Sequence, residues 1–415
     1  MTNQLQFNMT FPKFYFDRSL TFESGLHVIY GESGSGKSAL INQILELEKG
    51  QENFHLTNIN RPEEFQKVFQ NPDTQIISST LGGELAFSLE CRSNDQEYIS
   101  TKLASLKEKL FFECAEHRHP ATLSGGEKEM LNIVTAFSVN PQLLLIDDGL
   151  SFLNVNGKQN MLGYIKNQIV ETNCIVLWLT SDCNDLQFGK TQWELSLSSF
   201  NEWNGNISPL PTVEHKSQSN EITIACHDLF FSYNGDSDLF NAFNMKIDDF
   251  RALGITGSNG CGKTTLAKLL LHIERSESGS ITLTKAGEKA AMAYLEQFPE
   301  KMVGADSLDS FVQRLVTAGK LDKYKINHAV KNLKHCQIEW EQIKYKTALD
   351  LPWSTLRVVL TIWLLNSEYD LLILDEPTFG LGRQQVLTLT HHLRLYLKNK
   401  HLIIISHDTE FIYTF

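Results

Sequence analysis

The sequence predicts an α/β protein made of two tandem P-loop domains, each a mostly parallel sheet core with a helical subdomain. Three observations predict it. Two glycine-rich loops, "GESGSGKS" at Gly31–Ser38 and "GSNGCGKT" at Gly257–Thr264, fit G-x-x-x-x-G-K-[ST]. Two apolar runs ending in paired acids, "PQLLLIDDGLSF" at Pro141–Phe152 and "YDLLILDEPTFG" at Tyr369–Gly380, follow them at nearly the same distance. Apolar strand-like runs alternate with helical runs throughout, as parallel sheets with helical crossovers require.

Each loop sits where a phosphate-binding loop must sit. "GLHVIY" and "ALGIT" precede the loops as short strands, and "ALINQILELE" and "TLAKLLLHIE" follow as helices. Glycines turn backbone N–H groups inward around phosphates, and the helix N-terminus adds partial positive charge. The binding residues are then Gly31, Glu32, Ser33, Gly34, Ser35, Gly36, Lys37 and Ser38 in the first loop. The second supplies Gly257, Ser258, Asn259, Gly260, Cys261, Gly262, Lys263, Thr264 and Thr265. Lys37 and Lys263 reach the β- and γ-phosphates, and Ser38 and Thr264 are Mg²⁺ ligands.

The chain has 415 residues, enough for two or more domains with separate cores. At 42% hydrophobic and 21% charged it has an ordinary globular composition, and a net charge of -12 argues against a general nucleic-acid binder. A local basic groove stays open. The seven cysteines form no C-x-x-C pair, which speaks against zinc ribbons and thioredoxin-like sites and suits reduced cytosolic thiols. "MTNQLQFNMTF" has neither a basic nor an apolar leader region, so no secretory signal is expected. The apolar run "VVLTIWLL" is far short of the ~20 residues of a membrane-spanning helix. Any membrane role must come through a partner.

Further landmarks repeat in register. Gln70 in "VFQNPD" matches Gln297 in "YLEQFPE", and Ser181 in "IVLWLTSD" stands where His407 stands in "LIIISHD". "LSGGEKEML" lies at Leu123–Leu131, between Gln70 and the first acidic strand. With these motifs in this order the chain resembles two ATP-binding-cassette (ABC) domains fused in tandem, over nearly its whole length. The expected boundaries are 1–207 for the first domain, 208–220 for a polar linker ("SPLPTVEHKSQSN") and 221–415 for the second. Helical subdomains are expected over roughly 76–128 and 300–356. The resemblance places Tyr233 of "FSYNG" as an adenine-stacking aromatic, against the alternative of a core tyrosine. Phe11, Phe14 and Tyr15 are the candidates for its counterpart in the first domain.

The resemblance also implies an intramolecular head-to-tail pair, each ATP lying between the loop of one domain and the signature of the other. The second site then combines Gly257–Thr265, Gln297, Asp375, Glu376 and His407 with the signature Ser124-Gly125-Gly126. Asp375 and Gln297 join Thr264 around Mg²⁺. Glu376 acts as general base, and His407 and Gln297 contact the γ-phosphate and the attacking water. The first site has Gly31–Ser38, with Gln70 and Asp147 as Mg²⁺ ligands beside Ser38. It carries Asp148 where the base belongs and Ser181 where the histidine belongs. Its signature, counted back from Asp375, reads "LPWST", so Pro352 and Trp353 replace serine and glycine, and Gly382 in "FGLG" replaces an aspartate of the family. Asn154, on the loop bordering the second site, is a milder departure. The departures gather on one site. The expectation is one competent ATP site and one that retains ATP without rapid turnover, against the alternative of a decaying pseudo-enzyme.

"VFQNPDTQIISSTLGGELAFSLE", at Val68–Glu90, resembles the ATPase subunits of energy-coupling-factor importers and their cobalt and nickel relatives. That resemblance implies an ATP-hydrolysing subunit at the inner face of the cell membrane, powering uptake of a vitamin or metal through an integral membrane partner. The partner's coupling helices would meet acids such as Glu84, Glu90, Asp306 or Asp309. A solvated surface is the plainer reading of those acids. A soluble tandem cassette protein acting on ribosomes or DNA is the alternative.

Overall fold

The computed structural model describes residues 3–14, 16–48, 53–92, 95–112, 115–205, 210, 222–233, 238–248, 250–257 and 260–415. Of the expected linker 208–220, only Leu210 is among them. The chain divides into two compact units, residues 1–207 with 380–383, and residues 208–379 with 384–415.

The first unit runs β1 (Gln4–Phe11), β2 (Phe16–Glu23), β3 (Gly25–Tyr30), α1 (Lys37–Ile44), β4 (His55–Asn60), β5 (Phe65–Val68), α2 (Leu81–Glu90), α3 (Gln96–Lys107) and α4 (Gly125–Phe137). It continues with β6 (Leu143–Asp147), α5 (Val155–Thr172), β7 (Ile175–Thr180), β8 (Thr191–Leu195) and β9 (Phe200–Glu202). Its main sheet has the order β5-β6-β7-β3-β8-β9 and is parallel except for the β8–β9 pair. A small antiparallel sheet, β2-β1-β4, forms a second layer.

Pure apolar runs make the parallel strands because both faces are covered. In β6, Leu143 and Leu145 join a core with Phe7, Phe22 and Leu40, while Leu144 and Ile146 join one with Leu131 and Trp178. Each such side chain contributes roughly 1.5–3 kcal/mol on burial. This double anchoring fixes the strand whose end carries the acids.

The second unit runs β10 (Ile222–Phe231), β11 (Phe240–Asp248), β12 (Ala252–Ile255), α6 (Lys263–Leu270), β13 (Ser278–Lys285), β14 (Glu288–Lys289), β15 (Met292–Leu295), α7 (Glu300–Val303), α8 (Leu308–Thr317) and α9 (Lys323–His335). Then come α10 (Trp340–Ile343), α11 (Trp353–Leu365), β16 (Leu371–Asp375), α12 (Arg383–Tyr396), β17 (His401–Ile405) and α13 (Thr409–Ile412). Its parallel sheet, β12-β17-β16-β15, repeats the order of β3-β7-β6-β5. The antiparallel sheet β11-β10-β13-β14 covers it as in the first unit. The repeat read from motifs is therefore a repeat of topology. Among the described residues no helix is long and apolar enough to cross a membrane.

Both helices after the glycine-rich loops begin earlier and end sooner than their apolar pattern predicts, at Lys37 and Lys263. Gly36 and Gly262 set the start, with φ of 99° and 95°. A Cβ at Gly36 would lie 2.7 Å from the Phe54 ring, and one at Gly262 2.9 Å from Phe240, so the loop needs glycine twice over.

Candidate functional site

Each loop joins a parallel strand to a helix, and its lysine folds back over it. Lys37 Nζ donates to Gly31 O at 2.8 Å, and Lys263 Nζ to Gly257 O at 2.9 Å. Gly34 and Gly260, with φ of 85° and 78°, turn the loop in a region that side-chain-bearing residues adopt only rarely. Ser258 and Asn259 lie outside the described residues.

The hydroxyl after each lysine meets the first acid of the same unit's acidic strand. Thr264 Oγ1 donates to Asp375 Oδ2 at 2.7 Å, and Ser38 hydrogen-bonds Asp147. Burial pushes the carboxyl of Asp147 up to about 6, helped by the charge of Asp148 and opposed by Ser38, Lys67 and Lys37. Burial likewise lifts Asp375 to about 6, with Thr264, Tyr294 and Arg357 pulling the other way. Asp147 Oδ1 is buried without a hydrogen-bond partner. An oxygen-only pair of one carboxylate and one hydroxyl, carrying a spare buried oxygen, fits a hard divalent cation such as Mg²⁺.

The second acids differ by more than a methylene. Both adopt the left-handed backbone conformation, with φ of 50° at Asp148 and 49° at Glu376. In each, the N–H donates at 2.8 Å to the neighbouring strand, to Leu179 O or Ile405 O. Glu376 Oε1 lies 3.0 Å from His407 Nδ1, and Glu376 Oε2 accepts from Ser406 Oγ at 2.7 Å. Burial raises the Glu376 carboxyl, but His407, Ser406 and Lys263 outweigh it and hold the group below its ordinary range. Asp148 is drawn inward instead. It accepts from Ser181 N at 2.6 Å, from Ser181 Oγ at 2.8 and 2.9 Å, and from Gln70 Nε2 at 3.2 Å. Lys37 Nζ stands 3.6 Å away.

The two signature regions occupy the same place in the repeat. Ser124 caps α4, and its capping box with Glu127 leaves Gly125 and Gly126 as the first helical residues. Pro352 occupies the cap of α11 without any side-chain cap, and Trp353 and Ser354 replace the two glycines. The Trp353 indole packs edge-on to Phe298 at 5.7 Å and Phe379 at 5.6 Å between centroids.

Tyr233 is 41% exposed, stands edge-on to Phe231, and its hydroxyl lies 3.2 Å from Thr265 Oγ1, next to the second loop. Two expectations need correction. Phe11 is fully buried against Phe54 and is unavailable for stacking on a base. Of its companions, Phe14 is exposed and Tyr15 lies outside the described residues. Glu84 is not a surface acid. It is buried, and its carboxylate accepts from the N–H groups of Ile77 and Ser78 at 3.0 and 2.8 Å. Asp306 is exposed but paired with Arg314 at 2.6 Å, and Glu90 is exposed.

The motifs miss four residues. Tyr294 donates to Asp375 Oδ2 at 3.0 Å, and Ser406 holds Glu376 as above. Glu129, in α4, accepts from the N–H groups of Ser151 and Phe152 at 3.1 and 3.0 Å, fixing the loop after Asp148. Arg357, in α11, is fully buried and donates to the carbonyls of Asp375, Glu376 and Gln297. Its signal is a lone cation inside the apolar run "LRVVLTIWLL".

A duplicated parallel sheet, each copy ending in a phosphate loop and an acidic strand, defines a nucleotide-hydrolysing P-loop protein. The chain belongs to the ABC transporter family, whose model matches residues 16–151 and 240–379. It is an ATP-binding, ATP-hydrolysing enzyme of that family. A protein of Bacillus thuringiensis assigned as an ABC transporter ATP-binding protein is 23% identical over 95% of this chain and 84% of its own. The energy-coupling factor transporter ATP-binding protein EcfA1 of Mycoplasma capricolum is 30% identical over 42% of this chain and 46% of its own. Among solved structures, ABCE1 in a model of ribosome-bound archaeal Pelota and ABCE1 superposes with a TM-score of 0.69 at 17% identity, over 94% of this chain and 71% of that one. The archaeal ribosome recycling factor aABCE1, in complex with the ribosomal stalk protein aP1, gives 0.60 at 16%, over 95% and 82%. At such identities the likeness is one of fold.

Proposed function

We propose that this chain is the ATPase subunit of a membrane importer of the energy-coupling-factor type, taking up a vitamin or metal, with one turnover site and one retentive site. The observation that carries the asymmetry is the second acid. Glu376 is held by His407 and Ser406 at the end of its strand, whereas Asp148 is tied down by Ser181 and Gln70. In this reading Glu376 takes the proton of the attacking water, while His407 and the Gln297 side chain orient that water at the γ-phosphate. Thr264, Asp375 and Gln297 would hold Mg²⁺ in the second unit, and Ser38, Asp147 and Gln70 in the first. The ion supplies charge neutralisation on the phosphates. The family resemblance supports pairing Ser124-Gly125-Gly126 with the loop of the second unit, head to tail. It supports domain limits of 1–207 and 221–415 about a linker.

The importer reading rests on the stretch after Gln70 and on the EcfA1 likeness. Phe69, Ile77 and Phe87 are all exposed along that stretch, and apolar groups there suit the helix of a partner. The location implied is peripheral, at the inner face of the cell membrane. Detergent pull-down from native membranes tests it. The wild type should bring down an integral membrane subunit, and Ile77→Asp with Phe87→Asp should lose it while keeping ATP binding. Recovery of ribosomal proteins or nucleic acid without a membrane subunit would replace the importer by the soluble alternative.

A further inference from the structure

We infer that Arg357 is a positioning residue for hydrolysis, clamping the backbone of Glu376 to that of Gln297. The inference rests on Glu376 being the base. Arg357 is 0% exposed, and its guanidinium reaches two separate segments. One terminal nitrogen donates to the carbonyls of Asp375 and Glu376, and the other to Gln297 O at 2.8 Å. The Phe379 ring covers it, with 5.4 Å from centroid to guanidinium carbon. A planar fork with fixed donor directions suits this task, since its two terminal nitrogens hold separate segments in one rigid plane, whereas the three donors of an ammonium share a single, freely rotating nitrogen.

The clamp bears on a backbone that is held in an unusual conformation. Glu376 has φ of 49°, a conformation that a non-glycine residue keeps only where its surroundings over-determine it. Its N–H is fixed by Ile405 O and its side chain by Ser406 and His407. Its carbonyl accepts from Arg357 and also from the Phe379 N–H at 3.2 Å, so the arginine is the side chain that joins this group to another segment. The same guanidinium holds the carbonyl of Gln297, so a shift of that segment is carried to the base through one rigid fork.

The first unit makes the contrast. The residue at the same place in α4, five positions past the cap, is Glu129, of opposite charge. It accepts from N–H groups of the loop after Asp148 and leaves the carbonyls of the acidic pair alone. Among the described residues an arginine clamp accompanies the long acid and its histidine, whereas the carbonyl of the short acid, Asp148, accepts from the nearby Ser151 hydroxyl.

Steady-state ATP hydrolysis by the purified full chain tests this, with kcat and KM taken separately and ATP binding measured directly. Arg357→Gln should lower kcat tenfold or more with KM and ATP affinity within about threefold. Arg357→Lys should recover only part of the loss, because it keeps the charge without the fork. Wild-type kcat, within twofold, in both variants would overturn the clamp. A fall in ATP affinity matching the fall in kcat would overturn it too, by making Arg357 a purely structural residue. If Arg357→Gln shows no cooperative melting transition, the kcat–KM split of Arg357→Lys decides. Glu376→Gln runs beside them. Residual turnover above a tenth of wild type there removes the base assignment itself, whereas an inactive Glu376→Gln with normal Arg357 variants removes only the clamp.

Discussion

The Glu376 carboxylate and the His407 imidazole stand 3.0 Å apart, and the backbone N–H of His407 donates to the same oxygen at 3.2 Å. At the equivalent place the Ser181 N–H donates to Asp148 Oδ1, its hydroxyl lies within reach of both Asp148 oxygens, and Gln70 donates to Oδ2. Serine does not merely fail to replace the histidine; it holds the shortened acid at the strand end.

Turnover should therefore depend on one acid. Glu376→Gln is expected to abolish steady-state hydrolysis, since general-base assistance is worth roughly 10²–10⁴ in rate. Asp148→Asn should lower it less than tenfold. Phosphate release from both variants, measured side by side, decides the point. Equal losses would refute the asymmetry.

The first site is expected to bind without turning over. Its loop is complete and Lys37, Ser38 and Asp147 are in place. In Glu376→Gln, two nucleotides per chain should survive gel filtration with Mg-ATP, and adding Lys37→Ala should leave one. A ratio of one before Lys37 is changed would make the first site structural only.

What was legible in the sequence was local. A phosphate loop is a run of eight residues whose glycines, lysine and hydroxyl act through their own backbone, so Gly36 and Gly262 announce their positive φ by type. The acidic strands are legible because a strand covered on both faces must be apolar until it reaches the site. Phe11 was misplaced although its signal was present. "QLQFNMTF" alternates, and Leu5, Phe7, Met9 and Phe11 all fall on the buried face of β1. Glu84 and Arg357 were not legible, because each serves backbone groups, which leave no residue-type signal in the sequence. For Glu84 these are two N–H groups just before its helix. For Arg357 they are carbonyls 18, 19 and 60 positions away.

A histidine cluster in the second unit gives a pH prediction. His392 in α12 lies 6.3 Å from His335 of α9 and 5.6 Å from His391, ring to ring. Burial, then the neighbouring His391, His335 and His328, push its pKa from 6.5 down to about 4. Between these values the unfolded chain binds the proton and the folded chain does not. Its contribution is thus intact above about 6.5 and is lost as pH falls towards 4. Asp147, Asp185 and Asp375, raised to about 6, act in the opposite sense, so the useful quantity is a difference. The Tm of His392→Leu relative to wild type should rise as pH is lowered from 7 to 4.5. Parallel curves would refute the assignment.

The last prediction concerns Trp353. Placed where the repeat has a glycine, it reads in sequence as an obstruction to a phosphate. In the structure its indole also has a packing role, wedged edge-on between Phe298, just after Gln297, and Phe379, just after the acidic strand. It is 8% exposed, so truncation leaves a cavity beside Phe379, the ring that covers the Arg357 guanidinium. Loss of a buried tryptophan costs about 3–5 kcal/mol. Restoring the family residue should accordingly harm this chain. Trp353→Gly is expected to lower the Tm of the second unit and to lower kcat with it, even though it recreates the glycine. Trp353→Phe, which keeps an aromatic edge against both rings, should retain most of both. Differential scanning calorimetry with a parallel ATPase assay tests the pair. A Trp353→Gly variant as stable as wild type, with faster turnover, would show that the indole is an obstruction and nothing more.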